Sequence, residues 1–126
     1  MEKELVVCDT NILISWFKGE AKTLTQLKDI GLDNILIPSV ALMEIYQGVR
    51  NKAELLQIKK KLNAYHIIHF NDAISKIAIE LIEKFRLSHG LLIPDAIIAA
   101  TAITIKRKLF TYNTKDFKYI TGVTLF

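Results

Sequence analysis

The sequence predicts an α/β sandwich in which a short, mainly parallel sheet is flanked by helices. Short apolar runs at residues 5–8, 35–37, 65–70 and 109–112 have the length and composition of strands. Segments with apolar residues spaced three and four apart separate these runs, as expected of helices that connect parallel strands. Polar residues follow several strands, and functional sites in such sheets form at the carboxyl ends of the strands.

Composition and length fit one folded domain. The chain has 126 residues, of which 51% are hydrophobic and 24% charged, with only 5 Gly and 2 Pro. These values argue against disorder and against linker-joined modules, because such a chain can bury a core of ordinary size. We therefore expect a single domain over residues 1–126.

The chain carries no pattern typical of export or of a membrane span. The first four residues lack the basic region of a signal peptide, and the apolar run that follows is short. No apolar run approaches the ~18 residues that a membrane span needs. The single cysteine, Cys8, lies in an apolar run, which favours a buried, reduced thiol. These features predict a cytoplasmic protein without a membrane partner.

The first strand, residues 5–8, leads directly into a polar junction. Asp9 follows the strand, and Thr10 is the predicted N-cap of a helix that ends near Gly19. A second helix over residues 24–30 stops at Gly31. A carboxylate thus lies at the carboxyl end of the first strand.

The second strand, residues 35–37, also leads into a helix. Pro38 ends the strand, and Ser39 is the predicted N-cap of a helix that continues to about Gly48. Glu44 is the only acid of this helix, and it lies on a strip of small and polar residues rather than on the aliphatic face.

The middle of the chain is interpreted as scaffold. A basic helix over residues 52–62 precedes the third strand, in which the spacing of His66 and His69 favours surface residues over a metal-binding pair. Asn71 or Asp72 caps a long helix that ends at Gly90. His89 is favoured there by the helix dipole and has no expected catalytic role.

A third carboxylate stands at the start of the next helix. Pro94 is tolerated in a first helical turn, and Asp95 follows it. On a helical wheel, Asp95 shares a face with Ala99 and Ala102, which leave space beside it. Asp95 either stabilises the N-terminus of the helix through the helix dipole, worth roughly 0.3–1 kcal/mol, or belongs to a functional site.

The last predicted strand, residues 109–112, is followed by Asn113 and then by Asp116, and residues 119–126 can add an edge strand. The formal net charge is +4 with a pI near 9.2. Basic clusters at residues 59–61, 106–108 and 115–118 are either solvated faces or, if they surround the acids, contacts for a polyanion.

Four carboxylates therefore fall at one expected edge of the sheet. Two unit charges ~4 Å apart repel by about 4 kcal/mol at an effective dielectric near 20, so several unpaired acids need a compensating cation. An all-oxygen ligand set suits Mg²⁺ or Mn²⁺ rather than zinc. Because Mg²⁺ commonly meets its substrate through phosphate oxygens, the pattern predicts phosphodiester chemistry.

Four short motifs carry a resemblance to a known family. They are Val7-Cys8-Asp9-Thr10-Asn11, the segment from Pro38-Ser39-Val40 to Glu44, the segment from Pro94-Asp95-Ala96 to Ala102, and the segment from Thr111-Tyr112-Asn113 to Asp116-Phe117. Each motif alone is unspecific, but their order and spacing resemble PIN-domain ribonucleases, and most closely the toxins of VapBC toxin–antitoxin modules.

The resemblance implies a function for each matching residue. Asp9 and Asp95 would be the main metal ligands, and Glu44 and Asp116 would complete the catalytic site directly or through water. Thr10 and Asn113 would orient carboxylates or waters. The family implies a PIN-like fold, RNA cleavage with Mg²⁺ or Mn²⁺, a homodimer and a small cognate antitoxin. Two alternatives remain open: an RNA-processing PIN nuclease without an antitoxin, and a catalytically silent PIN-like module that binds RNA or protein.

Overall fold

The computed structural model describes residues 4–126, and its centre is a four-stranded sheet in which every pairing is parallel. The spatial order of the strands is β3-β2-β1-β4. The strands are β1 (Val6–Cys8), β2 (Ile35–Pro38), β3 (His66–Ile68) and β4 (Lys108–Phe110). The predicted α/β class with a short parallel sheet is therefore confirmed.

Six helices flank the sheet among the described residues. They are α1 (Thr10–Phe17), α2 (Ala21–Ile30), α3 (Ser39–Gln47), α4 (Lys52–Leu62), α5 (Asp72–His89) and α6 (Ile93–Ile105). Two short 3₁₀ turns, Leu32–Asn34 and Thr114–Asp116, precede β2 and follow β4. None of the helices in this part of the chain is long and apolar enough to span a membrane. The prediction that the chain has no signal peptide depends in part on residues 1–3, which lie outside the described residues.

The two central strands are apolar on both faces because both faces are covered. All residues of β1 and β2 are buried, in agreement with their unbroken apolar sequence. Burial, and to a smaller extent the charge of Asp9, raises the pKa of Cys8 to about 12, so this thiol stays neutral. At the edge of the sheet, His66 in β3 and the nearby His69 are exposed, as the sequence predicted.

Two predicted helix caps are wrong by one residue. Asp9, rather than Thr10, is the N-cap of α1, and its own side chain accepts a hydrogen bond from the Thr10 amide. Ser39 is already helical, and Pro38 is the N-cap of α3 without a side-chain cap. In each case the extended residue at the strand end, Asp9 or Pro38, is itself the N-cap, so the helix begins one residue earlier than predicted.

The predicted edge strand over residues 119–126 is reduced to a single parallel bridge between Leu109 and Leu125. Bends and turns occupy the rest of this segment, including Gly122 in a positive-φ conformation. By contrast, the long helix α5 has the predicted boundaries. The Asn71 side chain caps it by accepting from the Ile74 amide, and Gly90 ends it in the left-handed conformation.

Candidate metal and nuclease site

The strand order brings the four predicted acids to one edge of the sheet. Strand β1 lies between β2 and β4, and all three run in the same direction. Asp9 follows β1, Glu44 lies on the helix that follows β2, and Asp116 lies in the turn after β4. Asp95 joins them from the first turn of α6. The acids therefore converge at the carboxyl ends of the strands.

Asp9 is the buried centre of this group, with only 4% of its surface exposed. Its Oδ1 accepts a hydrogen bond from the Thr10 amide at 2.8 Å. Its Oδ2 accepts from Thr111 Oγ1 at 2.8 Å and from Asn11 Nδ2 at 3.3 Å. Three donors from the β1–α1 junction and from the end of β4 thus fix the orientation of this carboxylate.

Thr111 and Asn11 are the supporting residues that the sequence analysis did not select. The Thr111 hydroxyl donates to Asp9 and accepts from the Asn113 amide at 3.0 Å. The Asn11 amide group also bridges the junctions, since its Oδ1 accepts from the Tyr112 amide at 3.3 Å. The sequence did contain a signal for Thr111, because a hydroxyl residue at the end of the strand beside β1 can reach an acid at the end of β1.

Thr10 contacts a second acid as well as Asp9. Its hydroxyl donates to Glu44 Oε1 at 2.8 Å and so joins the start of α1 to α3. Glu44 is half-buried on the polar strip of α3, as its helical position predicted. Thr10 therefore contacts two of the acids, Asp9 through its amide and Glu44 through its hydroxyl.

Asp95 is half-buried at the start of α6, directly after Pro94. Its pKa is raised to about 6, chiefly by burial and then by the charges of Asp9, Asp116 and Glu44, in that order. The charges of all three other acids therefore act on this carboxyl group. No hydrogen-bond donor within residues 4–126 counters the shift, in contrast to the hydrogen bonds made to Asp9.

Asp116 and Asn113 lie on the exposed turn after β4. The charge of Asp116 contributes to the raised pKa values of both Asp9 and Asp95, so it belongs to the same group of acids. Asn113 contributes its backbone amide, which donates to Thr111 Oγ1. Its link to the acids therefore runs through Thr111 and uses main-chain atoms.

The electrostatic balance of the group is unfavourable in the free protein. Burial is the largest cause of the raised pKa of Asp9; hydrogen bonds from Thr111 and Thr10 lower it, and the charges of Glu44 and Asp116 raise it again. The ion pairs found within residues 4–126, Arg50–Glu54 and Lys108–Glu4, involve none of the four acids. The acids thus repel one another without a compensating cationic side chain among the described residues.

The chemistry of the donors fits a hard divalent cation. Four carboxylates offer only oxygen, the ligand type that Mg²⁺ and Mn²⁺ prefer, and a bound cation would relieve the repulsion that adds to the effect of burial on the pKa of Asp95. In the described part of the chain, no three His, Cys, Asp or Glu side chains are gathered closely enough to hold one ion. Such a set is not required, because Mg²⁺ commonly takes one or two carboxylates and keeps several waters.

The basic clusters are divided between the two edges of the sheet. Lysines 59–61 end α4, just before β3, and residues 106–108 lead into β4, so both clusters lie toward the amino ends of the strands. Lys61 there packs over the rings of Trp16 and Phe17. Only Lys115 and Lys118, in and after the turn that carries Asp116, lie on the side of the acids.

Comparisons with known proteins identify the family of the chain. A family model described as the PIN domain matches residues 6–123. Ribonuclease VapC3 of Methanocaldococcus jannaschii is 34% identical over 82 residues, which span 64% of this chain and 78% of that protein.

Solved structures of the same fold cover nearly the whole chain. A toxin–antitoxin complex from Klebsiella pneumoniae contains a chain that is 31% identical, with a TM-score of 0.80 over 94% of this chain and 95% of that one. VapBC2 from Rickettsia felis, bound to a DNA fragment from its promoter, contains a chain that is 25% identical, with a TM-score of 0.80 over 97% of both chains.

Proposed function

The chain belongs to the PIN-domain family, and we propose that it is a metal-dependent endoribonuclease that acts as the toxin of a toxin–antitoxin pair. One observation supports the activity above all others. Four carboxylates lie at the carboxyl edge of the sheet, where burial and then the charges of the other three acids raise the pKa of Asp95 to about 6, and none of the four forms an ion pair among the described residues. A divalent cation satisfies this requirement.

The residues have different parts in the proposed reaction. Asp9 and Asp95 bind the Mg²⁺ or Mn²⁺ ion, and Glu44 and Asp116 complete the site directly or through ordered water. A bound ion supplies a water activated as nucleophile and neutralises charge that develops on the phosphate. Thr111, Asn11 and Thr10 hold the carboxylates in place through the hydrogen bonds described above.

The chain can also orient the substrate phosphate. Lys115 lies in the turn that carries Asp116 and Lys118 follows it, so both can hold an RNA backbone beside an acidic centre. Lysines 59–61 and residues 106–108 lie toward the opposite edge of the sheet and have no such part.

The toxin assignment is supported by the relatives. The matched Klebsiella pneumoniae structure is a toxin–antitoxin complex, and the Rickettsia felis structure is a VapBC pair. We expect a small cognate antitoxin to suppress the nuclease and the nuclease itself to form a homodimer. A short neighbouring reading frame whose product restores growth on co-expression would support the pair, and light scattering of the purified protein tests the dimer.

A nuclease assay with matched variants tests the activity. Purified protein is incubated with a structured RNA in Mg²⁺ or Mn²⁺, with and without EDTA, and compared with Asp95→Asn and with Asp33→Asn. Asp33 is an exposed acid in the turn before β2, at the opposite edge of the sheet. We expect wild type and Asp33→Asn to cleave, and EDTA and Asp95→Asn to abolish cleavage.

The same assay separates the alternatives. Equal cleavage by wild type and Asp95→Asn would mean that the activity is a contaminant and that the carboxylate mechanism is wrong. An absence of cleavage together with RNA binding would favour a silent PIN-like module. Cleavage without growth arrest on expression, compared with Asp9→Ala, would favour an RNA-processing nuclease outside a toxin–antitoxin pair.

A further inference from the structure

An aromatic stack stands beside the acidic edge of the sheet. The imidazole of His89 and the phenol ring of Tyr119 are nearly parallel, with centroids 3.9 Å apart and an angle of 9° between the planes. Phe85 meets both rings edge-on, at 5.1 Å from Tyr119 and 5.8 Å from His89. These three residues are called the aromatic shelf below.

The shelf is held in one orientation. Ser88 Oγ and His89 Nδ1 lie 2.7 Å apart in a hydrogen bond, which fixes the rotation of the imidazole. Tyr119 covers one face of the ring, while His89 as a whole remains exposed. An exposed aromatic ring that is already held in place loses little conformational entropy when a planar ligand stacks on it.

Both ends of the shelf are joined to proposed site residues. His89 ends α5, and residues 90–92 connect it directly to α6, whose first turn carries Asp95. Tyr119 follows the 3₁₀ turn that carries Asp116. Partial burial raises the pKa of Tyr119, and the charges of Asp116 and then Asp95 raise it further, which agrees with a phenol group close to these acids.

Positive charge accompanies the aromatic rings. Arg86, one turn before Gly90 on α5, is exposed and donates from Nη1 to the Gly90 carbonyl at 3.0 Å. Lys118 precedes Tyr119 and is also exposed. An aromatic face flanked by cations is the combination with which proteins hold single-stranded nucleic acid, where bases stack and phosphates are neutralised.

From this geometry we infer that the aromatic shelf stacks an unpaired base of the RNA next to the phosphate that the acids engage. His89 is then a substrate-binding residue, and Tyr119 and Phe85 position it. Because a base inside a duplex has no free face, the shelf selects single-stranded over double-stranded RNA. This inference rests on the proposed nuclease function for its substrate, but its test does not require cleavage.

A binding experiment tests the shelf directly. Fluorescence anisotropy is measured with a short single-stranded oligoadenylate, with the same sequence as a duplex, and with an abasic ribose-phosphate oligomer of equal length. All proteins carry Asp95→Asn, which keeps the RNA intact. The variants are His89→Ala, His89→Phe and, as a matched control on the same helix, Leu87→Ala, whose side chain is 99% exposed.

We expect His89→Ala to weaken binding of the single strand by about 5-fold or more, as for the loss of one stacked base. His89→Phe should retain the affinity because it keeps an aromatic face, and Leu87→Ala should match the parent. The abasic oligomer and the duplex should not distinguish these proteins. Equal affinity of His89→Ala and its parent for the single strand, or equal losses for His89→Ala and His89→Phe, would overturn the inference.

Kinetics separate this inference from the proposed function. In the otherwise wild-type protein, His89→Ala should raise KM for single-stranded RNA while leaving kcat nearly unchanged, and thermal denaturation should show an intact fold. A cleaving enzyme with unchanged KM and binding would reject the shelf and leave the nuclease in place. A protein that never cleaves, but whose base-dependent binding is lost in His89→Ala, would reject the nuclease and keep the shelf.

Discussion

Asp9 and Asp95 both lie where a helix begins, but the protein holds the two carboxylates differently. At the β1–α1 junction, Asp9 is buried and its carboxylate accepts from Thr10, Thr111 and Asn11. At the start of α6, Asp95 is half-buried, and no protein donor among residues 4–126 lowers its pKa. Both acids stand at a helix N-terminus, but only one is fixed by the protein.

The difference indicates that Asp9 and Asp95 have different roles in the proposed metal site. Asp9 is preoriented, so its geometry is set before an ion binds. Asp95 would gain its main compensation from a bound ion, because burial and three neighbouring acids raise its pKa to about 6 in the free protein. We therefore expect substitutions at the Asp9 junction to act on geometry, and substitutions at Asp95 to act on charge and pH dependence.

The largest effect is expected for Asp9→Asn. The amide keeps the size of the side chain but removes the charge and one ligand oxygen, so we expect RNA cleavage to fall by more than about 100-fold, beyond the usual cost of losing a residue that only supports a ligand. Initial rates with Mn²⁺ measure the effect. Asp33→Asn serves as the control, and a loss of less than 10-fold in Asp9→Asn would remove Asp9 from the ligand set.

Thr111→Val should have the next largest effect. Valine keeps the shape but cannot donate to Asp9 or accept from the Asn113 amide. We expect metal affinity or activity to fall by about 10- to 100-fold, as for other residues that support ligands. Mn²⁺ titration by calorimetry measures it.

The control is Thr101→Val, which makes the same change in a buried hydroxyl that donates to a carbonyl of its own helix. Thr101→Val should leave Mn²⁺ affinity near that of wild type. Equal affinities for wild type and Thr111→Val would show that Asp9 does not depend on this hydrogen bond.

The free energy of unfolding should depend on pH through Asp95. Its pKa is about 6 in the folded protein and 3.8 without the fold, so between these values the folded state binds more protons than the unfolded state. The stability contributed by the protonated group is therefore complete below pH 3.8 and is lost as pH rises through about 6. The raised pKa of Asp9 acts in the same direction.

Urea denaturation in EDTA across this pH range measures the effect. Asp95→Asn should make the free energy of unfolding fall less steeply as pH rises, and Asp33→Asn should leave this fall unchanged. Saturating Mn²⁺ should reverse the trend, because a metal competes with the proton and binds better as pH rises. A decline of the same steepness in Asp95→Asn would mean that other groups cause it.

The convergence of the acids could be predicted from the sequence because it follows from topology. Asp9 and Asp116 come after strands, and parallel strands direct their carboxyl ends to one edge. The hydrogen bond from Thr111 to Asp9 required the strand order, since it depends on β4 lying beside β1. The sequence could not indicate the stack of His89 on Tyr119, because these residues lie on separate elements and neither belongs to a periodic pattern. His89 was accordingly interpreted as a helix end alone.

The smallest effect is expected for Asn113→Ala, and it sharpens the contrast between the two junctions. Asn113 reaches the Asp9 junction through its amide, which donates to Thr111 Oγ1, and alanine retains this group. We expect initial cleavage rates to change by about 2-fold or less, as for an exposed substitution. If Asn113→Ala instead lowers the rate as much as Thr111→Val, its side chain orients a carboxylate or a water, as the family resemblance implies. The Asn113 side chain would then support the acids in addition to the hydrogen bonds that Thr10, Asn11 and Thr111 make to Asp9.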